Sequence, residues 1–258
     1  METKTYLLVM VAVSLLFFSG CTDLPADPDN DVIPDDQDLR EEVLPEEIKA
    51  WQEDSLTLFL GQARVHNGKL YLLITYGEKL TGGYSVEITD IAERDGRLEV
   101  RVNFYDPGED EMVTQALTYP YDLAVIDDPG LPVEFIATGA QDYLPTLYGL
   151  DYLPTGYYGS EWIRIFRPLP GDQVENSFQV EGIGNVFEGN IRYRLLNAEG
   201  SVLSEGFTAA AMGDWGYYSF ELETGDLASG SGIVLEFFTE SPKDGSLENL
   251  VSIDLSVK

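Results

Sequence analysis

The chain has 258 residues, 44% of them apolar, and carries a formal charge of -31 from 15 Lys and Arg against 46 Asp and Glu. That length holds two ordinary domains with a real core, and the charge excludes a nucleic-acid binder or a grip on anionic head groups, because phosphate binding runs on Lys and Arg. One cysteine and one histidine exclude an internal disulfide and a His/Cys metal cluster.

In chain order, the first element is an uncharged apolar run, Tyr6 to Phe18, followed by Ser19-Gly20-Cys21. A membrane span needs about 20 apolar residues and stable flanks, so the run reads as a leader. Small residues before a lone cysteine, behind an apolar stretch, resemble the lipobox of bacterial lipoproteins, where cleavage precedes the cysteine and the cysteine carries lipid. The resemblance implies a signal peptide over residues 1–20, lipidation at Cys21, and a protein anchored on the extracellular face of the bacterial cytoplasmic membrane. An uncleaved anchor helix is the competing reading. Residues 21–49 are acidic, Pro-punctuated and nearly free of aromatics. Such a segment buries too little apolar surface to offset its ordering entropy, so it is expected to be a disordered tether. Asp27, Asp29 and Asp31 sit at the alternate offsets of a calcium loop. The glycine at position six and the glutamate at position twelve are missing and Pro28 and Pro34 interrupt the run, so no metal site is assigned.

Residues 50–127 carry strand signals. Asn67-Gly68 separates Ala63-Arg64-Val65 from Leu70-Tyr71-Leu72-Leu73-Ile74, a hairpin pattern because both turn positions tolerate positive φ. Tyr84, Val86 and Ile88 alternate with polar residues, Asp95-Gly96 turns the chain, and Leu98, Val100, Val102 and Phe104 alternate again. A further strand runs from Tyr121 to Ile126. The period of two puts one face in a core and one in water, and an antiparallel β domain is expected. Residues 128–160 open on Asp-Pro-Gly and contain Asp142-Tyr-Leu-Pro-Thr146, repeated as Asp151-Tyr-Leu-Pro-Thr155; they are expected to form an ordered, aromatic-rich connector. Residues 161–258 hold seven strand candidates: 163–166, 178–183, 190–196, 202–208, 217–223, 233–239 and 250–257. About seven short strands in a hundred residues predict an immunoglobulin-like β-sandwich. The fold class is therefore all-β.

Two family likenesses attach to these residues. Gly77-Glu-Lys-Leu-Thr-Gly-Gly-Tyr-Ser85, Asp106-Pro-Gly108 and Thr118-Tyr-Pro-Tyr121 resemble the C-terminal domain of PrcB-like protease-complex subunits, which implies association with a partner protease. Ile163-Arg-Ile-Phe-Arg-Pro168, Val180-Glu-Gly182, Val186-Phe-Glu-Gly189 and Trp215-Gly216 resemble the immunoglobulin-like domain of bacterial spore germination proteins, which supports the sandwich and implies a spore-forming or related bacterium. Neither resemblance brings a catalytic residue.

Chemistry is correspondingly sparse. His66 abuts the Asn67-Gly68 turn, where a polar residue needs no catalytic reason. No motif singles out a glycosidase pair among the carboxylates. Gly82-Gly83 lacks the lysine and following helix of a phosphate loop and is read as a turn or close backbone approach. No catalytic residue, metal site or cofactor is assigned, and the protein is not expected to be an enzyme. Gly82, Gly83 and Tyr84 lie where one strand begins, and Thr118, Tyr119, Pro120 and Tyr121 where another does. A proline at a strand start leaves a ladder position without a donor, and these seven residues form the candidate partner-binding edge. The competing reading is structural, with the glycines serving a turn and the tyrosines a core. Tyr143, Tyr148, Tyr152, Tyr157, Tyr158 and Trp162 either glue the connector to its domains or stack sugars. The expected role is a lipid-anchored envelope protein acting through a protein partner, a secreted protease or a germination assembly. A glycan or peptidoglycan binder is the runner-up, and an undetected hydrolase comes third.

Overall fold

The computed structural model describes residues 9–10, 44–212 and 214–258. Cys21, the acidic run with Asp27 to Asp38, and most of the leader lie outside the described residues.

The first domain is two sheets face to face. One holds β1 (Phe59–His66), β2 (Lys69–Tyr76) and β5 (Tyr121–Asp127), antiparallel throughout, with the two-residue strand Val9–Met10 paired to β5 at Val125 and Ala124. The other holds β3 (Ser85–Arg94), β4 (Arg97–Tyr105) and β6 (Val133–Gly139). Asn67 and Gly68 have φ of 50° and 76°, and Asp95 and Gly96 of 49° and 78°. Both two-residue turns therefore take the doubly positive geometry that matches strand twist.

Three features depart from the sequence reading. Residues 46–55 form a helix, α1 (Glu46–Ser55), across the boundary set at residue 50. Ile48 and Trp51, three apart, share its buried face, while Glu46 and Glu47 suit its positive N-terminal end. A stripe of two apolar residues amid acids is too narrow to stand out as a helical period. Residues 133–139, assigned to the connector, are instead β6, with Val133, Phe135 and Ala137 turned to the inter-sheet core. Finally, β6 runs parallel to β4, Leu98 opposite Val133, so the domain is not wholly antiparallel. The chain reaches β6 through the other sheet, and a parallel pairing has no local turn to announce it.

The second domain is the expected sandwich. One sheet orders β13 (Leu247–Val257), β12 (Gly232–Glu240), β9 (Asn190–Asn197) and β10 (Val202–Ala209). In the other, β8 (Ser177–Val186) lies between β7 (Ile163–Arg167) and β11 (Gly216–Glu223). Alternation buries Ile233, Leu235 and Phe237 of β12 against Val251, Ile253 and Leu255 of β13, Ile191 and Leu195 of β9, and Val180 of β8.

A third apolar cluster belongs to both domains. It gathers Ile48 and Trp51 of α1, Leu60, Tyr71, Leu73 and Leu123 from the outer face of the first sheet, Leu147 and Leu153 of the connector, and Phe166, Ile183 and Trp215 of the sandwich. Strand β2 is therefore buried on both faces, with Leu70, Leu72, Ile74 and Tyr76 pointing to the inter-sheet core and Tyr71 and Leu73 to the shared cluster. The connector runs along the outer edge of β1. There the Gly61 and Ala63 amides donate to the carbonyls of Pro145 and Asp151 at 2.8 and 3.1 Å. The two Asp-Tyr-Leu-Pro-Thr copies flank that strand: Leu144 enters the inter-sheet core and Leu153 the shared cluster.

Candidate functional site

The segments 78–84 and 114–121 form a short antiparallel ribbon beyond the end of β2. The Tyr76 amide donates to the Pro120 carbonyl at 2.8 Å, Lys79 and Thr118 exchange both backbone bonds at 2.9 Å, and the Gly82 amide donates to the Thr114 carbonyl at 2.9 Å. The Thr118 hydroxyl adds a 2.8 Å bond to the Thr81 carbonyl. Close approach explains the glycines. A Cβ on Gly82 would lie 2.4 Å from Thr114 Oγ1, and one on Gly83, at φ +91°, would meet Val113 and Pro107 at 2.7 and 2.8 Å.

Beneath the ribbon sits a polar and aromatic knot. Tyr76, buried, donates its hydroxyl to Asp106 Oδ1 at 2.6 Å and accepts from Gln141 Nε2 at 2.8 Å. Burial first, and the Asp106 carboxylate second, push the Tyr76 phenol up from 10.0 to about 12. Lys79 Nζ lies 3.5 Å from the Tyr76 ring centre and 5.0 Å from that of Tyr84. Burial lowers the Lys79 pKa, opposed by Asp106. The rings of Tyr76 and Tyr84 meet edge to face at 6.2 Å. Lys79 thus spends its charge inside the domain, on two faces that attract cations.

The candidate residues consequently divide. Gly82 and Gly83 fit the ribbon together. Tyr84 is half-buried against the inter-sheet core. Tyr121 packs on the shared cluster, across the sheet from the ribbon. Tyr119 donates its hydroxyl to Glu78 Oε2 at 2.8 Å, and that bond raises its pKa. The residues most open to a partner are ones the sequence reading passed over: Met112 is 99% exposed, Leu80 77% and Leu117 54%. The Lys79–Thr118 register sets Leu80 opposite Leu117 on the face away from the knot. Their signal was available, since Leu80 stands alone in a polar run from Gly77 to Gly83 and Met112 follows Glu109-Asp110-Glu111.

Three of the six connector aromatics hold the connector to a domain, while Tyr148, Tyr158 and Trp162 are exposed. Tyr152 covers Arg64 at 4.8 Å, Tyr157 covers Arg164 at 4.3 Å, and the Tyr143 hydroxyl donates to Asp214 at 2.8 Å. His66 is bound up at its turn, 2.9 Å from Asn67 Nδ2 and 3.6 Å from a Glu47 oxygen. Among the described residues, no group of three or more His, Cys, Asp or Glu side chains could hold a metal ion, and no helix is long and apolar enough to cross a membrane.

Sheet order and site geometry together define an all-β protein whose ribbon loops stand over the inter-sheet core of the first β unit. Residues 162–246 match the immunoglobulin-like domain of bacterial spore germination, and residues 70–127 match the PrcB C-terminal domain. No curated protein matches the chain. Among solved structures, a Bacteroides uniformis β-glucuronidase aligns at 11% identity and a TM-score of 0.26, over 80% of this chain and 28% of that one. A β-D-glucuronidase for Dictyoglomus thermophilum aligns at 10% and 0.24, over 74% and 36%. Overlaps this loose carry nothing about fold or activity.

Proposed function

We propose that this is a non-catalytic accessory protein of the bacterial envelope. It is held to the outer face of the cytoplasmic membrane by lipid on Cys21, and it docks a protein partner through the ribbon loops. The observation that carries the reading is the exposure of Leu80, Met112 and Leu117 on loops fixed by backbone hydrogen bonds. Exposed apolar side chains gathered on one surface and rimmed by polar residues mark interaction sites. Glu78, Glu109, Asp110 and Glu111 lie beside them in sequence, so the complementary partner has an apolar pocket with a basic rim. The two domain families agree with an accessory role, and a secreted protease or a germination assembly is the kind of partner they suggest.

The test uses the protein beginning at Cys21 as bait, beside a Leu80→Glu/Met112→Glu variant. Both substitutions are at open surface, so the variant should melt with the parent to within about 0.5 kcal/mol of stability. The expected result is a specific envelope protein captured by the parent and lost by the variant. Equal capture by both, or co-sedimentation with cell wall and no protein, would overturn the docking site. Separately, Cys21→Ala should abolish lipid attachment and release the protein from membranes; unchanged mass and membrane association would refute the anchor. Two acyl chains hold where one is marginal.

A further inference from the structure

Between the domains, the connector, β1 and β7 line an open groove of about 630 Å³, flanked by Leu147, Leu150, Pro154 and Tyr152, with Arg64 and Arg167 on its lining. Small-molecule sites run at about 300–1,000 Å³ and combine apolar walls with a few placed polar groups. Arg64 is already committed. It donates to the Glu47 carbonyl at 2.9 Å and to the Glu47 carboxylate at 3.2 Å, and it lies over Tyr152.

Arg167 is different. Every other arginine among the described residues has its guanidinium on a carboxylate, a hydroxyl or a carbonyl. Arg167, an exposed residue on the groove lining, has no such bond and no ring contact among the described residues. This is not for want of a partner. Glu181 stands opposite it in the β7–β8 register, yet the two form no ion pair. Among the described residues, Arg167 is thus the arginine without a partner, and it lines a groove with both polar and apolar walls.

We propose that this groove binds a small carboxylate-bearing ligand, its carboxylate on the Arg167 guanidinium and its body against Tyr152 and Leu150. The planar fork matches a carboxylate in two parallel hydrogen bonds. Charge selects a monoanion over a phosphate. Asp151 lines the same groove and Glu47 sits on Arg64, so a second negative charge on the ligand meets two carboxylates. The connector backbone from Gly149 to Thr155 bounds the site, and a polar ligand body can hydrogen-bond along it. An acidic sugar and a peptide C-terminus share this chemistry.

The experiment follows 1H–15N spectra of the full chain, reading the Arg167 side-chain Nε–H and the amides of 149–155. Five probes are titrated: N-acetylmuramic acid paired with N-acetylglucosamine, N-acetyl-alanyl-alanine paired with its C-terminal amide, and inorganic phosphate. At least one acid should bind with a Kd below about 1 mM, its neutral twin at least about tenfold more weakly. Which pair discriminates identifies the source of the carboxylate. Arg167→Gln, at an exposed position, should melt as the parent does and lose about tenfold in affinity for the acid. The proposal is overturned if neither acid shifts those signals, if a neutral twin binds as well as its acid, if inorganic phosphate binds more tightly, or if Arg167→Gln binds unchanged.

Discussion

Tyr76 ties Asp106, just past β4, to Gln141, just past β6, with one hydroxyl that both donates and accepts, while its amide holds the ribbon at Pro120. Tyr76→Phe keeps the ring and strands Asp106 and Gln141, and a loss of about 1–3 kcal/mol in denaturant unfolding is expected. Burial of this phenol, and second its bond to Asp106, set a pH dependence. The folded state favours the neutral phenol, raising its pKa from 10.0 to about 12. Its contribution is therefore full below about pH 10 and is lost as pH rises towards 12. The parent should lose extra stability across that window, and Tyr76→Phe should not; parallel losses would show that another group titrates. Gly83→Ala tests the loop geometry. With φ +91° and contacts at 2.7 and 2.8 Å awaiting its Cβ, it should cost more than about 1 kcal/mol. A neutral result would mean that the loop shifts freely and is no rigid platform. In the sequence the glycine pair was legible as a turn or a close approach, because no lysine or helix followed it; only the fold shows the approach to Thr114, Val113 and Pro107. What stayed illegible was which tyrosines face water. Tyr84 and Tyr121 look alike in a strand-start pattern, and only the fold shows that the first leans on the inter-sheet core and the second on the shared cluster.

Helix α1 shows why one element is worth more than its length. Trp51 is fully buried and donates its indole N–H to Gln62 Oε1 at 3.0 Å; the same oxygen accepts from the Leu153 amide at 2.7 Å. One side chain of β1 thus ties the helix to the connector. Trp51→Ala should cost about 3–5 kcal/mol, whereas deleting residues 22–43, which precede the helix, should leave the melting transition unchanged. A large loss from that deletion would show that the tether packs. The strands of the sandwich were legible because alternation and turn residues are local. Both α1 and β6 escaped for the opposite reason. The helix shows two apolar residues among acids, and β6 pairs in parallel with a strand more than thirty residues earlier, so neither carries a local sign of what it packs against.

At the scale of the whole molecule, the shared cluster decides how the domains behave. Arg164 of β7, nearly buried, bonds Thr57 at 2.8 Å and lies under Tyr157, crossing from one domain to the other. Residues 162–258 alone should fold with a strand-dominated circular dichroism spectrum, yet melt lower than the full chain, because Phe166, Ile183 and Trp215 lose their cover. A helical spectrum would refute the sandwich, and an equal melting temperature would show the shared cluster to be energetically idle. Composition gave no warning of this cluster, since Trp215 and Phe166 look like ordinary sandwich residues. The hint was β2, too apolar on both faces for a sheet with one side in water. The connector along β1 has a last consequence. If lipid anchoring confines copies to a plane, they meet at far higher local concentration than in solution, and a bare β1 would invite strand-to-strand polymerisation. The carbonyls of Pro145 and Asp151 take the Gly61 and Ala63 donors in the middle of that edge within the same chain, so a neighbour on a crowded surface finds the centre of β1 already occupied.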